Sequence, residues 1–326
     1  MNEHEREVVE SIDPVVEENL KWLADPEKKM WWPAQFFSFM EEEGYQTRLH
    51  DMREHAKGLS DELLVVLVGD MVTEEALPTY ASRLSYMFPD RTGVGEKPWD
   101  VWQRGWNGEE NQHGDALRQY LLLTGRVNMK AVDWSVNSLI QKGFQQDPGL
   151  YNRGIFYPMF QEPATRISHN NVATLAKEQG DETLADICRK IAGDEHRHAQ
   201  FYFAVGQAIF DKDPEHAMIR FGELMMGTVT MPAELMTDRN SQKRPLFDRF
   251  AEVASSIGVY TPFDYANILD SLNSDLGIAD RSVSGSAAQA QENLMNLPDR
   301  IRRVGERKKD SDRTTSKFEW VYAKAV

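Results

Sequence analysis

LADICRKIAGDEHRHAQFYFAVGQAI, residues 184–209, is the stretch whose reading decides the fold. Leu184, Ile187, Ile191, Glu195, His198, Tyr202, Val205 and Ile209 recur at steps of three and four, which is one face of an α-helix. Glu195 and His198 therefore stand where core residues belong. A buried carboxylate without a partner is costly, so something must compensate it.

A second stretch, WDVWQRGWNGEENQHGDALRQYLLLTG (99–125), repeats the pattern. Trp99, Trp102, Trp106, Glu110, His113, Leu117, Tyr120 and Leu121 share a face, again with a Glu and a His three residues later. Side chains at i and i+3 on a helix can aim at one point. Two further stripes each hold one glutamate. Leu67, Met71, Glu74, Leu77, Ala81, Leu84 and Phe88 line up over 60–88; Ile155, Met159, Glu162, Thr165, His169 and Val172 do so over 152–178. A Glu-x-x-His pair is short enough to arise by chance, and its placement on an apolar face is what carries weight.

Charge names the missing partner. Four carboxylates carry −4, and two divalent ions carry +4. A pair of metals turns six core defects into six ligands, the pattern of di-iron and di-manganese carboxylate bundles of the ferritin-like type. Oxygen ligands with two imidazoles and no thiolate suit iron or manganese. Each Glu-x-x-His pair is preceded by an acid, Glu109 or Asp194. Metal-bound histidines commonly donate their other N–H to a carboxylate, so Asp194 is expected to orient His113, and Glu109 to orient His198. His196 is expected to point away, and His169 to be a core histidine. Met225, Met226, Met231 and Met236 read as core filling, with flanking a lipid-like ligand as the alternative.

The chain has 326 residues, 41% of them hydrophobic, and a formal charge of −15. That charge argues against a general nucleic-acid surface. The single Cys188 excludes a disulfide framework and a cysteine zinc site, and fits a buried thiol in a reducing compartment. No apolar run reaches the length of a membrane span, and the acidic MNEHEREVVE is unlike a signal peptide. A cytoplasmic protein is expected.

Helical periodicity dominates: segments at about 8–24, 60–88 with a kink at Pro78, 98–125, 130–144, 152–178, 181–211, 215–226, 262–275 and 286–309. KKMWWPAQFF reads as an ordered loop, RTGVGEKP as a connector and RSVSGSAAQ (281–289) as a flexible stretch. The alternating tail SKFEWVYAKAV suggests a small C-terminal β-hairpin. The expectation is an all-α chain, a single domain over 1–326, built on a four-helix bundle with additional helices.

The same residues resemble the soluble acyl-carrier-protein desaturases of the stearoyl type. GDMVTEEALPTY (69–80), EENQHGD (109–115), FQEPATRISH (160–169) and GDEHRH (193–198) are similar to that family's four metal-helix signatures. GVYTPFDYANIL (258–269) and LPDRIRR (297–303) are similar to its C-terminal part. The resemblance implies two iron ions held by Glu74, Glu110, His113, Glu162, Glu195 and His198, with Trp31 on the electron route and Thr165 managing protons near bound oxygen. It also implies O₂-dependent insertion of a cis double bond into an acyl chain on acyl carrier protein, electrons from a ferredoxin-like donor, and a homodimer. Gln112, His196 and Pro163 depart from the plant pattern. So does ASRLSYMFPD, in a region that helps to line the family's acyl pocket. An acidic carrier needs a local basic surface, for which Lys28, Lys29, Arg300, Arg302, Arg303, Arg307, Lys308 and Lys309 are candidates. The alternatives are a di-iron acyl hydroxylase, which places substrate differently, and an iron-binding ferritin-like protein with no organic substrate.

Overall fold

The computed structural model describes residues 3–81, 95–143, 149–227, 229, 231–239, 244–309 and 317–321. Twelve helices organise them, short single turns aside. They are α1 Glu3–Ser11, α2 Asp13–Asn19, α3 Tyr45–Ala56, α4 Asp61–Glu74, α5 Pro98–Thr124, α6 Met129–Lys142, α7 Tyr157–Glu178, α8 Glu182–Lys212, α9 Pro214–Met226, α10 Leu246–Ser256, α11 Pro262–Asp275 and α12 Gly285–Lys309.

Helices α4, α5, α7 and α8 form a ferritin-like four-helix bundle. Helices α5, α7 and α8 each carry their site residues between two apolar clusters, and α4 ends in Glu74 beyond the first of them. One cluster gathers Leu63–Val72 positions of α4 with Leu117 and Leu121 of α5, Val172 of α7 and Ile187 of α8. The other gathers Trp102 and Trp106 of α5, Ile155 and Phe160 ahead of and within α7, and Tyr202 to Phe210 of α8. Residues run from the first cluster to the second along α8, and the reverse way along α5 and α7. The carboxylates and histidines thus occupy the waist. Outside the bundle, α11 and α12 pack on each other, α9 packs on α12, and α10 packs on α4.

Local chemistry explains the boundaries. Ser60 caps α4 by accepting the Leu63 amide, Asp181 caps α8 by accepting the Leu184 amide, and Thr261 with Asp264 closes a full capping box on α11. Gly125, at φ 67°, ends α5 in the left-handed conformation that favours glycine.

Several expectations are corrected. The segment 8–24 is two helices, because Pro14 opens α2 in its first turn. The helix expected to run over 60–88 with a kink at Pro78 ends at Glu74. Proline has no N–H to give the carbonyl four residues back, here Glu74, and its ring crowds that group. Residues 75–76 form a turn and the chain becomes helical again at Leu77; residues 82–90 of the divergent stretch lie outside the described residues. Helices α3 and α10 went unread. The first buries little beyond Met52 and Ala56, so its sequence lacks a stripe. The 281–289 stretch is fixed rather than flexible: Arg281 donates to the Leu276 and Phe210 carbonyls at 2.9 and 2.7 Å, and α12 starts at Gly285. Of the tail where a hairpin is expected, only residues 317–321 are among the described ones. Val321 makes an isolated antiparallel bridge to Val127, and the buried Trp320 indole donates to Ser135 Oγ at 2.9 Å.

Candidate metal centre

Glu74, Glu110, His113, Glu162, Glu195 and His198 are all buried, and they meet. Glu74, Glu110, His113 and Glu195 offer ligand atoms within 4.8 Å of one another; so do Glu110, Glu162, Glu195 and His198. Glu110 and Glu195 belong to both groups, so two ion-sized clusters share a pair of carboxylates. His113 Nδ1 lies 3.7 Å from Glu74 and from Glu110, and 3.5 Å from Glu195. His198 Nδ1 lies 2.9 Å from Glu110 and 3.4 Å from Glu162.

These inward atoms are close but misaligned for hydrogen bonds. Glu110 Oε1, His113 Nδ1, Glu162 Oε2, both Glu195 oxygens and His198 Nδ1 are buried with no hydrogen-bond partner. Buried polar atoms are almost always partnered, so six orphans aimed at one waist are lone pairs that call for cations. Ionisation without cations is costly too. Burial first, then the neighbouring Glu195, pushes the Glu110 carboxyl up to about 8, and the same two causes push Glu162 well above the usual range. The donor set fits two divalent ions.

The outward atoms are held by the protein. The His113 Nε2–H donates to Asp194 Oδ2 at 3.2 Å, and the His198 Nε2–H donates to Glu109 Oε2 at 3.2 Å. Asp194 also accepts the Trp31 indole N–H at 2.7 Å, and the Trp31 ring stacks parallel to His113 with centroids 6.1 Å apart. Glu109 accepts the Ala24 amide at 2.7 Å. Thr165 Oγ1 donates to the Gln161 and Glu162 carbonyls at 3.2 and 3.0 Å. His196 is exposed and meets Arg166 at 3.0 Å.

Three contacts escaped sequence reading. Arg197 joins the two supporting acids, donating to Glu109 at 2.6 Å and to Asp194 at 2.5 Å. The Trp106 indole donates to Glu162 at 3.2 Å. His169, expected to be an ordinary core histidine, is buried but bonds Glu74 Oε1 through Nε2 at 3.0 Å. The only signal for it was its place on the Glu162 stripe.

A cavity of about 240 Å³ adjoins the first cluster at Glu74, with Thr165 also on its wall. Its walls are mainly apolar, with Phe160, Met231, Phe247 and Phe250 among them. Met231 is thus a cavity residue, Met225 and Met236 are core, and Met226 is exposed. In the candidate basic surface, Lys28 pairs with Asp25 at 3.2 Å, and Arg302 is neutralised by Asp270 and Asp299. Arg303 and Arg307 are exposed, while the side chains of Lys308 and Lys309 lie outside the described residues.

The fatty acid desaturase family model matches residues 4–322. The chain belongs to that family. Desaturase relatives cover nearly all of it. The chloroplastic stearoyl-[acyl-carrier-protein] 9-desaturase 5 of Oryza sativa subsp. japonica is 42% identical over 98% of this chain and 83% of its own. The 9-desaturase 1 of Arabidopsis thaliana is 40% identical over 98% of this chain and 82% of its own. The X-ray structure of DesA2 from Mycobacterium tuberculosis H37Rv has TM-score 0.55 and 17% identity, covering 87% of this chain and 98% of that one; at that identity the likeness is one of fold. No helix among the described residues is long and apolar enough to cross a membrane.

Proposed function

We propose that this desaturase acts on acyl chains carried by acyl carrier protein, inserting a cis double bond in an O₂-dependent reaction at a di-iron centre. The observation that carries the reading is a set of orphaned carboxylate and imidazole atoms clustered with Glu74, and Glu74 itself lines an apolar cavity. An iron store needs a polar path for ions, whereas an apolar recess beside the clusters suits a hydrocarbon chain.

Glu74, Glu110, Glu195 and His113 would hold one ion, and Glu110, Glu195, Glu162 and His198 the other. When bound, a pair of redox-active ions supplies the activation of dioxygen that hydrogen removal from an unactivated methylene requires. The chain's own residues do the rest. Asp194 and Glu109 fix the tautomers and ring orientations of His113 and His198. His169 and Trp106 hold the outer oxygens of Glu74 and Glu162. Thr165 stands on the cavity wall and can hold a proton near substrate. Phe160, Phe247 and Phe250 exclude water and fix which methylene faces the centre. Such placement matters, since about 1 Å of error can cost a hundredfold.

Trp31 offers an aromatic contact from the 25–33 segment to Asp194 and His113, which supports electron entry there from a ferredoxin-like donor. The reading is completed by a homodimer, as the family resemblance implies. The test is anaerobic loading with ferrous iron, then O₂, reductant and a panel of acyl carrier protein thioesters, with products weighed by mass spectrometry. Loss of two hydrogens is expected. Gain of one oxygen would make the enzyme a hydroxylase, and no alkene from any chain length would overturn the desaturase reading.

A further inference from the structure

The hydroxyl oxygens on the cavity wall each have a partner within the protein, as donor or as acceptor, with one exception. Thr73 Oγ1 donates to the Gly69 carbonyl at 3.0 Å, Thr165 donates to its own helix, and Ser168 Oγ donates to Asp70 at 3.2 Å. Tyr265 Oη accepts the Val229 amide at 3.2 Å. The exception is Tyr260, which lines the same cavity and whose buried Oη has no hydrogen-bond partner among the described residues. Leaving a buried hydroxyl unpaired is unfavourable enough that each instance calls for an explanation.

Tyr260 is also firmly placed. Val259, just before it, gives its carbonyl to the Asn171 amide of α7 at 2.9 Å. Thr261, just after it, is half of the capping box that starts α11. Burial, the largest influence, keeps the phenol neutral by raising it above its ordinary range, so it remains a donor. A fixed, neutral, unpaired donor on a largely apolar wall suits a ligand that brings one acceptor into a greasy space. An acyl thioester has that form: a single carbonyl followed by methylenes.

We infer that Tyr260 is a positioning residue whose hydroxyl donates a hydrogen bond to the thioester carbonyl of the bound acyl chain. This rests on the acyl-desaturase reading above and extends it. The contact sets how far along the chain the methylenes lie from the carboxylate clusters, so double-bond position is counted from the carbonyl end.

The test compares binding of a stearoyl thioester of acyl carrier protein with its thioether analogue, in which a methylene replaces the carbonyl. It uses the iron-loaded protein without reductant. The wild type is expected to prefer the thioester about tenfold, the size of a buried neutral hydrogen bond. In Tyr260→Phe the preference collapses towards unity, iron content is unchanged, and turnover spreads the double bond over neighbouring carbons. Equal affinity of the wild type for both probes overturns the inference and needs no variant. Undiminished preference in the folded Tyr260→Phe protein overturns it as well. Failure of the desaturase reading is seen separately, as no alkene from wild type whatever the binding result.

Discussion

Around His113 the outer ring nitrogen meets Asp194, which accepts the Trp31 indole; around His198 it meets Glu109, which accepts the Ala24 amide. The terminal glutamates differ likewise. Glu74 is held by the His169 imidazole, and Glu162 by the Trp106 indole. The two halves therefore repeat one helical motif with different supports. The Glu74 half alone borders the described cavity and has a buried aromatic ring stacked on its histidine. The Glu162 half is buttressed by indole and backbone. Arg197 touches both supporting acids and ties the halves together. Equivalent spacing thus yields two inequivalent candidate sites, because the supports come from segments that the bundle repeat does not duplicate.

The largest effect should come from breaking what the halves share. Glu110→Ala or Glu195→Ala removes a ligand from both clusters, and bound iron measured by elemental analysis should fall to background with loss of activity. Glu74→Ala or Glu162→Ala removes a ligand from one cluster only, so about half the iron should remain. Equal loss in all four variants would mean that the ions bind only as a pair.

Next come the supporting acids. Asp194→Asn and Glu109→Gln should each weaken iron binding by about 10–100-fold, read by competition with a chelator. Asp194→Asn should also disturb Trp31 fluorescence, because it alters the acceptor of that indole; Glu109→Gln should leave it nearly unchanged. That asymmetry is the sharpest check on the comparison.

Smaller effects separate the terminal glutamates. His169→Gln should weaken iron binding by about tenfold and Trp106→Phe by about fivefold, since each removes one hydrogen bond to a carboxylate. Substrate affinity should respond more to His169→Gln, because His169 also lines the cavity.

The mildest prediction concerns the wall rather than the centre. A Cβ on Gly69 would lie 2.0 Å from Phe250 Cε2, so Gly69→Ala must push the Phe250 ring away from α4. A loss of about 1–3 kcal/mol in thermal or denaturant unfolding is expected, with iron content retained.

The sequence by itself determined the helix faces. Backbone periodicity is local, and a glutamate at a core position is conspicuous whatever the rest of the chain does; Glu74, Glu110, His113, Glu162, Glu195 and His198 were visible for that reason. Helix α10 shows the limit. Its apolar stripe of Leu246, Phe250, Val253 and Ala254 is local and was overlooked. The burial of Arg249 against Asp238 at 2.6 Å and against the Lys317 carbonyl, by contrast, depends on partners that the helix itself does not supply. Tertiary structure decided which atoms meet. Trp31 reaches Asp194 across 163 residues of chain, and Tyr260 lines a cavity shared by α4, α7 and α10. A local pattern shows which way a side chain faces. Only the packed bundle shows what stands opposite, because contact distance is set by chain folding and not by spacing.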